Sequence, residues 1–249
     1  MNSKLIVMLT QNDRTVRNAI EVFKECCDLP IDFWGFKNIG IPEPEMRELV
    51  TAIKTYGKKS FLEVVTYTEE SCAISAKFAC ENHFDFMIGT TFFPRIWDFL
   101  QTTPIQYYPF VGNIYGNPSV MSGNVEDMVK ESKVLGTKGI HGINVLAYRY
   151  IDGNPVQLAQ ELVKQAKMKT IIAGSIDSIS RIKEIDTINP WAFTIGGALF
   201  TDKFVSGAGF RSNLEKVLDV MDSLGRYDTE LKTQTISQGE TRNGTNNNF

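Results

Sequence analysis

Eight short apolar runs punctuate the chain, at residues 5–10, 31–36, 60–65, 84–90, 106–112, 142–148, 169–174 and 192–198. They are rich in β-branched and aromatic residues, and none alternates strictly between apolar and polar. A strand with both faces covered by other elements reads this way, and that is the condition of a parallel sheet. Between the runs, apolar residues recur at helical spacing. In 15–27 they are Val16, Ala19, Ile20, Phe23 and Cys27; in 44–57 they are Met46, Leu49, Val50, Ile53 and Tyr56, and the segment stops at Gly57. That spacing, closed by a glycine, predicts helices. Further helices are predicted over 69–82, 124–136, 154–167, 178–186 and 212–224, with a weaker one over 92–100.

Eight strands each followed by a helix predict a single-domain (β/α)8 TIM barrel over residues 1–225. A doubly wound open sheet is the competing arrangement, but it usually has fewer strands or a second domain. The remainder, 226–249, is polar and aperiodic and is expected to be an unstructured tail.

Composition narrows the picture. The 249 residues carry 26 Lys+Arg against 29 Asp+Glu, a net charge of −3, with 43% hydrophobic and 22% charged residues. Such a chain can bury a large core without disulfides. Its slight acidity argues against a nucleic-acid partner. No apolar run has the ~20 residues a membrane span needs, and the N-terminal run is short enough to read as a first strand, not a signal peptide. The four cysteines, Cys26, Cys27, Cys72 and Cys80, form no C-x-x-C pair, and neither histidine stands near them at a ligand spacing. No metal is expected, therefore; buried free thiols and a cytoplasmic location are. No cofactor is implied, and homo-oligomerisation stays open.

In a barrel of this kind the site lies where the strands end. Polar residues there include Thr10, Gln11 and Asn12 after the first run, Lys37 and Asn38 after the second, Glu63 and Thr66 on the third, and Thr90 and Thr91 after the fourth. Asn113 follows the fifth run as a substrate-hydroxyl contact, and Tyr148 and Arg149 follow the sixth, Arg149 as an anion contact. The last two runs end in Gly174-Ser175 and Gly196-Gly197. Glycines at both ends let backbone N–H groups approach an anion, and a short helix opening after Gly197 would aim its positive end at the same point. These four residues are the candidate phosphate site. Glu63 is a carboxylate inside the apolar stretch SFLEVV, where it needs a partner. Lys37 ends the neighbouring strand, about 4.8 Å away. The two are the candidate catalytic pair, either moving a proton next to a carbonyl or, through Lys37, forming a Schiff base. His83 and His141 fall at a helix end and a strand start and are read as structural or surface residues.

Residues 169–204 resemble the C-terminal quarter of the phosphate-binding TIM barrels, most nearly the sugar-phosphate isomerases of histidine biosynthesis. Those carry A-G-G-[IV]-x-S-x-x-D-[IL] and then G-[KS]-A-L-[YF]; this chain has Ala173, Gly174, Ser175, Ile176 and Ser178, then Gly196, Gly197, Ala198, Leu199 and Phe200. The resemblance implies a phosphate site. It does not carry the reaction over, because those isomerases use an Asp at the ends of strands 1 and 5, where this chain reads LIVMLTQND and YYPFVGN. Asp13 is read as lying too far past the first strand to substitute. A looser resemblance links 45–66, with Gly57, Lys58, Lys59, Phe61, Leu62 and Glu63, to barrels that sense glycerol 3-phosphate, although their H-x-D is missing. The expectation is an enzyme acting on a small phosphorylated sugar or polyol, an isomerase, epimerase or aldolase-type lyase. The alternative is a non-catalytic barrel that senses a phosphorylated metabolite and regulates a partner.

Overall fold

The computed structural model describes residues 1–242, with side chains through 225. Eight parallel strands form the barrel: β1 (Lys4–Met8), β2 (Phe33–Lys37), β3 (Lys59–Val64), β4 (Phe86–Gly89), β5 (Gln106–Tyr108), β6 (Gly142–Val145), β7 (Lys169–Ile172) and β8 (Ala192–Ile195). They pair in the order β6-β7-β8-β1-β2-β3-β4-β5. The ring closes between β5 and β6 through a single parallel bridge, Phe110 to Asn144, in which the Asn144 N–H donates to the Pro109 carbonyl at 2.8 Å. Proline at 109 has no N–H to extend the ladder, so β5 is shorter than its apolar run.

Around the barrel lie α1 (Ala19–Cys26), α2 (Glu43–Thr55), α3 (Glu69–Glu81), α4 (Pro94–Leu100), α5 (Val125–Thr137), α6 (Pro155–Gln165), α7 (Ile179–Ile188), the short α8 (Gly197–Phe200) and α9 (Gly209–Arg242). Local chemistry sets several starts. Thr68, Asn124, Asn154 and Ser178 each accept a first-turn N–H with the side chain, which satisfies donors that the helix leaves unpaired. Pro94 and Pro155 stand in the first turn, where the missing N–H costs nothing. The tail expected over 226–249 falls on residues whose side chains, and from 243 on whose backbone, lie outside the described residues.

The apolar runs are continuous because they serve two cores. Outward-facing Leu5, Val7 and Leu9 join one large cluster with the helices, whereas Ile6 and Met8 join a second, inside the barrel. That inner cluster also holds Phe61, Phe86, Ile88, Tyr108, Ile171 and Ala192, with Phe33 and Trp191 packed against it. Trp191 stacks on Tyr108 at 5.3 Å and Phe61 on Phe86 at 4.1 Å, so rings fill the N-terminal end of the barrel. Gly35 makes room for them, since a Cβ there would sit 2.6 Å from Met8 Sδ.

Two small hairpins interrupt the strand–helix alternation. One pairs Thr10–Gln11 with Arg14–Thr15, and the other pairs Asn113–Tyr115 with Val120–Ser122. The first displaces the start of α1 from the expected 15 to Ala19, because Thr15 is engaged elsewhere. Its Oγ1 donates to the Lys37 carbonyl and accepts from the Lys37 N–H, at 2.8 and 2.9 Å, which pins the end of β2.

Candidate active site

Lys37 and Glu63 are register partners on adjacent strands. In a parallel sheet, side chains at matched positions point the same way, and both enter the barrel mouth. Lys37 Nζ lies 3.5 Å from the Glu63 carboxylate, with each side chain no more than 7% exposed. The predicted pair therefore forms.

It does not stand alone. Asp13 accepts a hydrogen bond from Lys37 Nζ at 3.1 Å. The hairpin after β1 turns at Asn12 and Asp13, both at positive φ (49° and 57°), a backbone that Asn and Asp tolerate best among non-glycine residues. The chain thereby folds back and drops Asp13 between Lys37 and Arg149. The expectation that Asp13 lies too far past the strand is corrected on this ground. Arg149 Nη1 donates to both Asp13 oxygens at 2.8 and 2.7 Å and to the Ser119 carbonyl at 3.2 Å. The Ser119 N–H closes the set with a 2.8 Å bond to Asp13 Oδ2.

Glu63, Lys37, Asp13 and Arg149 thus form a row of alternating charge, two carboxylates and two cations. Buried charge is tolerated when it is paired and hydrogen-bonded; Asp13, Lys37 and Arg149 are both, and Glu63 is paired through its ion pair with Lys37. For Asp13, burial works to raise the pKa, but the Arg149 hydrogen bond and the charges of Lys37 and Arg149 outweigh it, so the carboxyl is held well below the usual carboxylate range. Tyr67 hangs over the same point with its hydroxyl 2.6 Å from Ser119 Oγ. Burial, with the nearby charges of Glu63 and Asp13, pushes its phenol up.

Gly174, Ser175, Gly196 and Gly197, from the ends of β7 and β8, line the same cavity as Asp13, Lys37, Glu63 and Arg149. Its volume is about 280 Å³, room for a small metabolite. The backbone explains the glycines. Gly174 takes φ +83°, and a Cβ there would press to 3.0 Å on Arg149 Cγ. A Cβ at Gly196 would meet Thr10 Oγ1 at 2.8 Å and the Met8 carbonyl at 3.0 Å. Gly197 opens α8, the short helix expected after it. Arg149 Nε reaches Ser175 Oγ at 3.3 Å, so the row of charges runs directly into this turn region. Thr194 and Lys203 also line the cavity and were not anticipated; Lys203 is the first residue after the α8 turn to bring a further cation there.

Of the other predicted residues, Thr10, Gln11 and Asn12 line the same cavity, and the rest are placed elsewhere. Asn113 is exposed on the second hairpin, outside the cavity. Asn38 braces the loop after β3, accepting from the Val65 N–H and donating to Thr66 and Ser75. The Tyr148 hydroxyl donates to Glu184, and Arg181 lies over its ring. His141 accepts the Tyr107 N–H through Nδ1 at the opposite end of the barrel, as its position at a strand start suggested. The four cysteines are free thiols; Cys26 and Cys72 are buried as expected, whereas Cys27 and Cys80 are only half-buried. Among the described residues no group of three His, Cys, Asp or Glu could hold a metal ion, and no helix is long and apolar enough to cross a membrane.

No family model and no curated protein matches this sequence. Solved structures do match in fold. Orotidine 5'-phosphate decarboxylase from Pyrococcus horikoshii OT3 superposes with a TM-score of 0.59 at 11% identity, over 88% of this chain and 99% of that one. N-acetylmannosamine-6-phosphate 2-epimerase from Clostridium perfringens gives 0.57 at 11% identity, over 78% and 86%. Tryptophan synthase from M. tuberculosis gives 0.61 at 10%, over 88% and 92%. The fold is a TIM barrel. At these identities the likeness speaks for the fold, and the function has to be argued from the site.

Proposed function

We propose that this protein is an enzyme that isomerises a small phosphorylated sugar by moving a proton next to its carbonyl. The observation that carries the reading is that one cavity holds both the Lys37–Glu63 pair and the four turn residues at the ends of β7 and β8. Barrels commonly bind phosphate between the loops after strands 7 and 8. That two fold neighbours are named for phosphorylated substrates supports the reading.

In this scheme the backbone at Gly174, Ser175, Gly196 and Gly197 takes the phosphate, and Lys203 adds a cation. The sugar carbonyl lies toward Lys37. Glu63 removes a proton from the adjacent carbon, the C–H electrons form the enediolate, and the Lys37 ammonium stabilises its oxygen. The proton then returns to the former carbonyl carbon, and the hydroxyl proton of the neighbouring oxygen passes by way of Lys37 to the oxyanion, so that the carbonyl re-forms one carbon along. Schiff-base chemistry fits less well, since Lys37 Nζ is committed to Asp13 and Glu63 and would have to leave both to attack a carbonyl. A sensing role is favoured by a pair that points away from the mouth, which is not the arrangement here.

The test is a thermal-shift screen of phosphorylated sugars and polyols beside their phosphate-free counterparts. A ligand at 100 times its Kd adds ~2.7 kcal/mol, worth roughly 5–10 °C for a chain of this size. Only phosphorylated compounds should raise the melting temperature, and Gly196→Ala should blunt the shift. No shift with any compound, or equal shifts from the phosphate-free set, would refute the reading.

A further inference from the structure

Between the phosphate end of the cavity and the proton-transfer pair the structure shows an unbroken chain of polar contacts. Ser175 Oγ accepts from Arg149 Nε at 3.3 Å, Arg149 Nη1 holds both oxygens of Asp13, Asp13 holds Lys37 at 3.1 Å, and Lys37 faces Glu63 at 3.5 Å. We propose that Asp13 is a positioning residue that couples phosphate binding at the Ser175 end to the placement of Lys37 at the other end. The idea rests on the phosphate site proposed above.

Asp13 is shared by two cations that face opposite ends of the cavity. No hydrogen bond from Arg149 Nη2 is present among the described residues, so the guanidinium has a donor to give an incoming anion while Nη1 stays on Asp13. A phosphate beside Ser175 draws on Arg149. The Asp13 carboxylate is then less neutralised by Arg149 and holds Lys37 more firmly at the height of Glu63. Binding energy from the phosphate, remote from the reacting carbon, is thereby used to order the reacting groups, which raises turnover and not merely affinity. The surroundings suit a fixed relay. Asp13 is 7% exposed, its backbone is set by the hairpin turn, and the Ser119 N–H anchors its second oxygen.

Linkage is reciprocal, so the coupling is readable from the phosphate side with inorganic phosphate as the probe and no turnover needed. Calorimetry would measure phosphate affinity for the full-length protein, Lys37→Gln, Asp13→Asn and the double variant. Asparagine keeps the shape of aspartate and tolerates the positive φ at 13. Removing Lys37 leaves Asp13 wholly to Arg149 and withholds the guanidinium from phosphate, so Lys37→Gln should weaken binding about three- to tenfold. In the Asp13→Asn background the same change should have almost no effect, and Asp13→Glu should restore the dependence at least in part. Arg149→Lys keeps every charge in the row but cannot bridge Asp13 and Ser175 with one planar fork. It should abolish the dependence on Lys37 and takes the place of Asp13→Asn in the cycle should that variant fail to fold, as Lys37→Met takes the place of Lys37→Gln. Effects of the single changes that simply add would overturn the coupling while leaving the phosphate site standing. Absence of phosphate binding to the unaltered protein would remove the site and the coupling together.

Discussion

At the N-terminal end of the barrel the interior is closed by rings, and at the C-terminal end it is lined by charges, although the same strands build both. Strand β2 carries Phe33 at one end and Lys37 at the other, with Gly35 between; β3 carries Phe61 and, two residues on, Glu63. Phe33, Phe61, Phe86, Tyr108 and Trp191 pack ring to ring, and Lys4 and Lys169 lie over the outermost of them at 5.2 Å. Apolar area buried there stabilises the fold without direction. The opposite end spends stability to hold Asp13, Lys37 and Glu63 nearly out of water. The comparison teaches that one inward-facing stripe can serve both purposes within two residues, provided that the charged end is paired internally.

Substitutions can separate the two ends. The largest effect on rate is expected from Glu63→Gln, which should lower turnover of any phosphorylated sugar the protein converts by about 10²- to 10⁴-fold. Steady-state kinetics measures it, and unchanged turnover would remove Glu63 from the chemistry. Phe86→Ala at the other end should cost about 3–5 kcal/mol of stability and leave the rate per folded molecule intact. Denaturant unfolding beside kinetics checks this; a loss of rate without a loss of stability would erase the division between the ends. Gly196→Ala, forced against Thr10 Oγ1 and the Met8 carbonyl, should cost about 1–3 kcal/mol and weaken phosphate binding together with it.

The smallest effect is one of pH. The pKa of Asp13 is depressed in the folded state, so its contribution to stability is complete above the ordinary carboxylate value, about 3.9, and is lost as pH falls below it. The gap in melting temperature between the unaltered protein and Asp13→Asn should therefore narrow from pH 6 towards pH 3. A gap that stays constant over that range would mean that Asp13 does not owe its ionisation to the row of charges.

The barrel itself was legible because parallel strands covered on both faces leave unbroken apolar runs, and eight of them alternate with helical periodicity. Lys37 and Glu63 were legible for the same reason, since a charge at the end of such a run needs a partner and the adjacent strand offers one. Asp13 was missed because strand-end reasoning assumes that the chain departs from the mouth, and here a two-residue turn returns it. The signal was present in Asn12-Asp13, residues that suit the paired positive φ of a tight hairpin, but two-residue strands leave no periodicity to detect. The second hairpin, with strands of three residues each, was likewise too short to show a period, and with it the displacement of Asn113 from the cavity was missed. Lys203 was hidden because the path of the chain after α8 depends on how that helix packs, with Phe200 against Phe210 on α9 at 4.6 Å.

Solvent-deuterium exchange tests the central claim most directly. The protein would be incubated in D2O with the phosphorylated compounds that stabilise it, and the recovered compounds examined by NMR. The account predicts deuterium at the carbon beside the carbonyl of at least one of them, with none after incubation with Glu63→Gln that still binds the compound. Bound compounds recovered without deuterium, or labelled equally by Glu63→Gln, would contradict it.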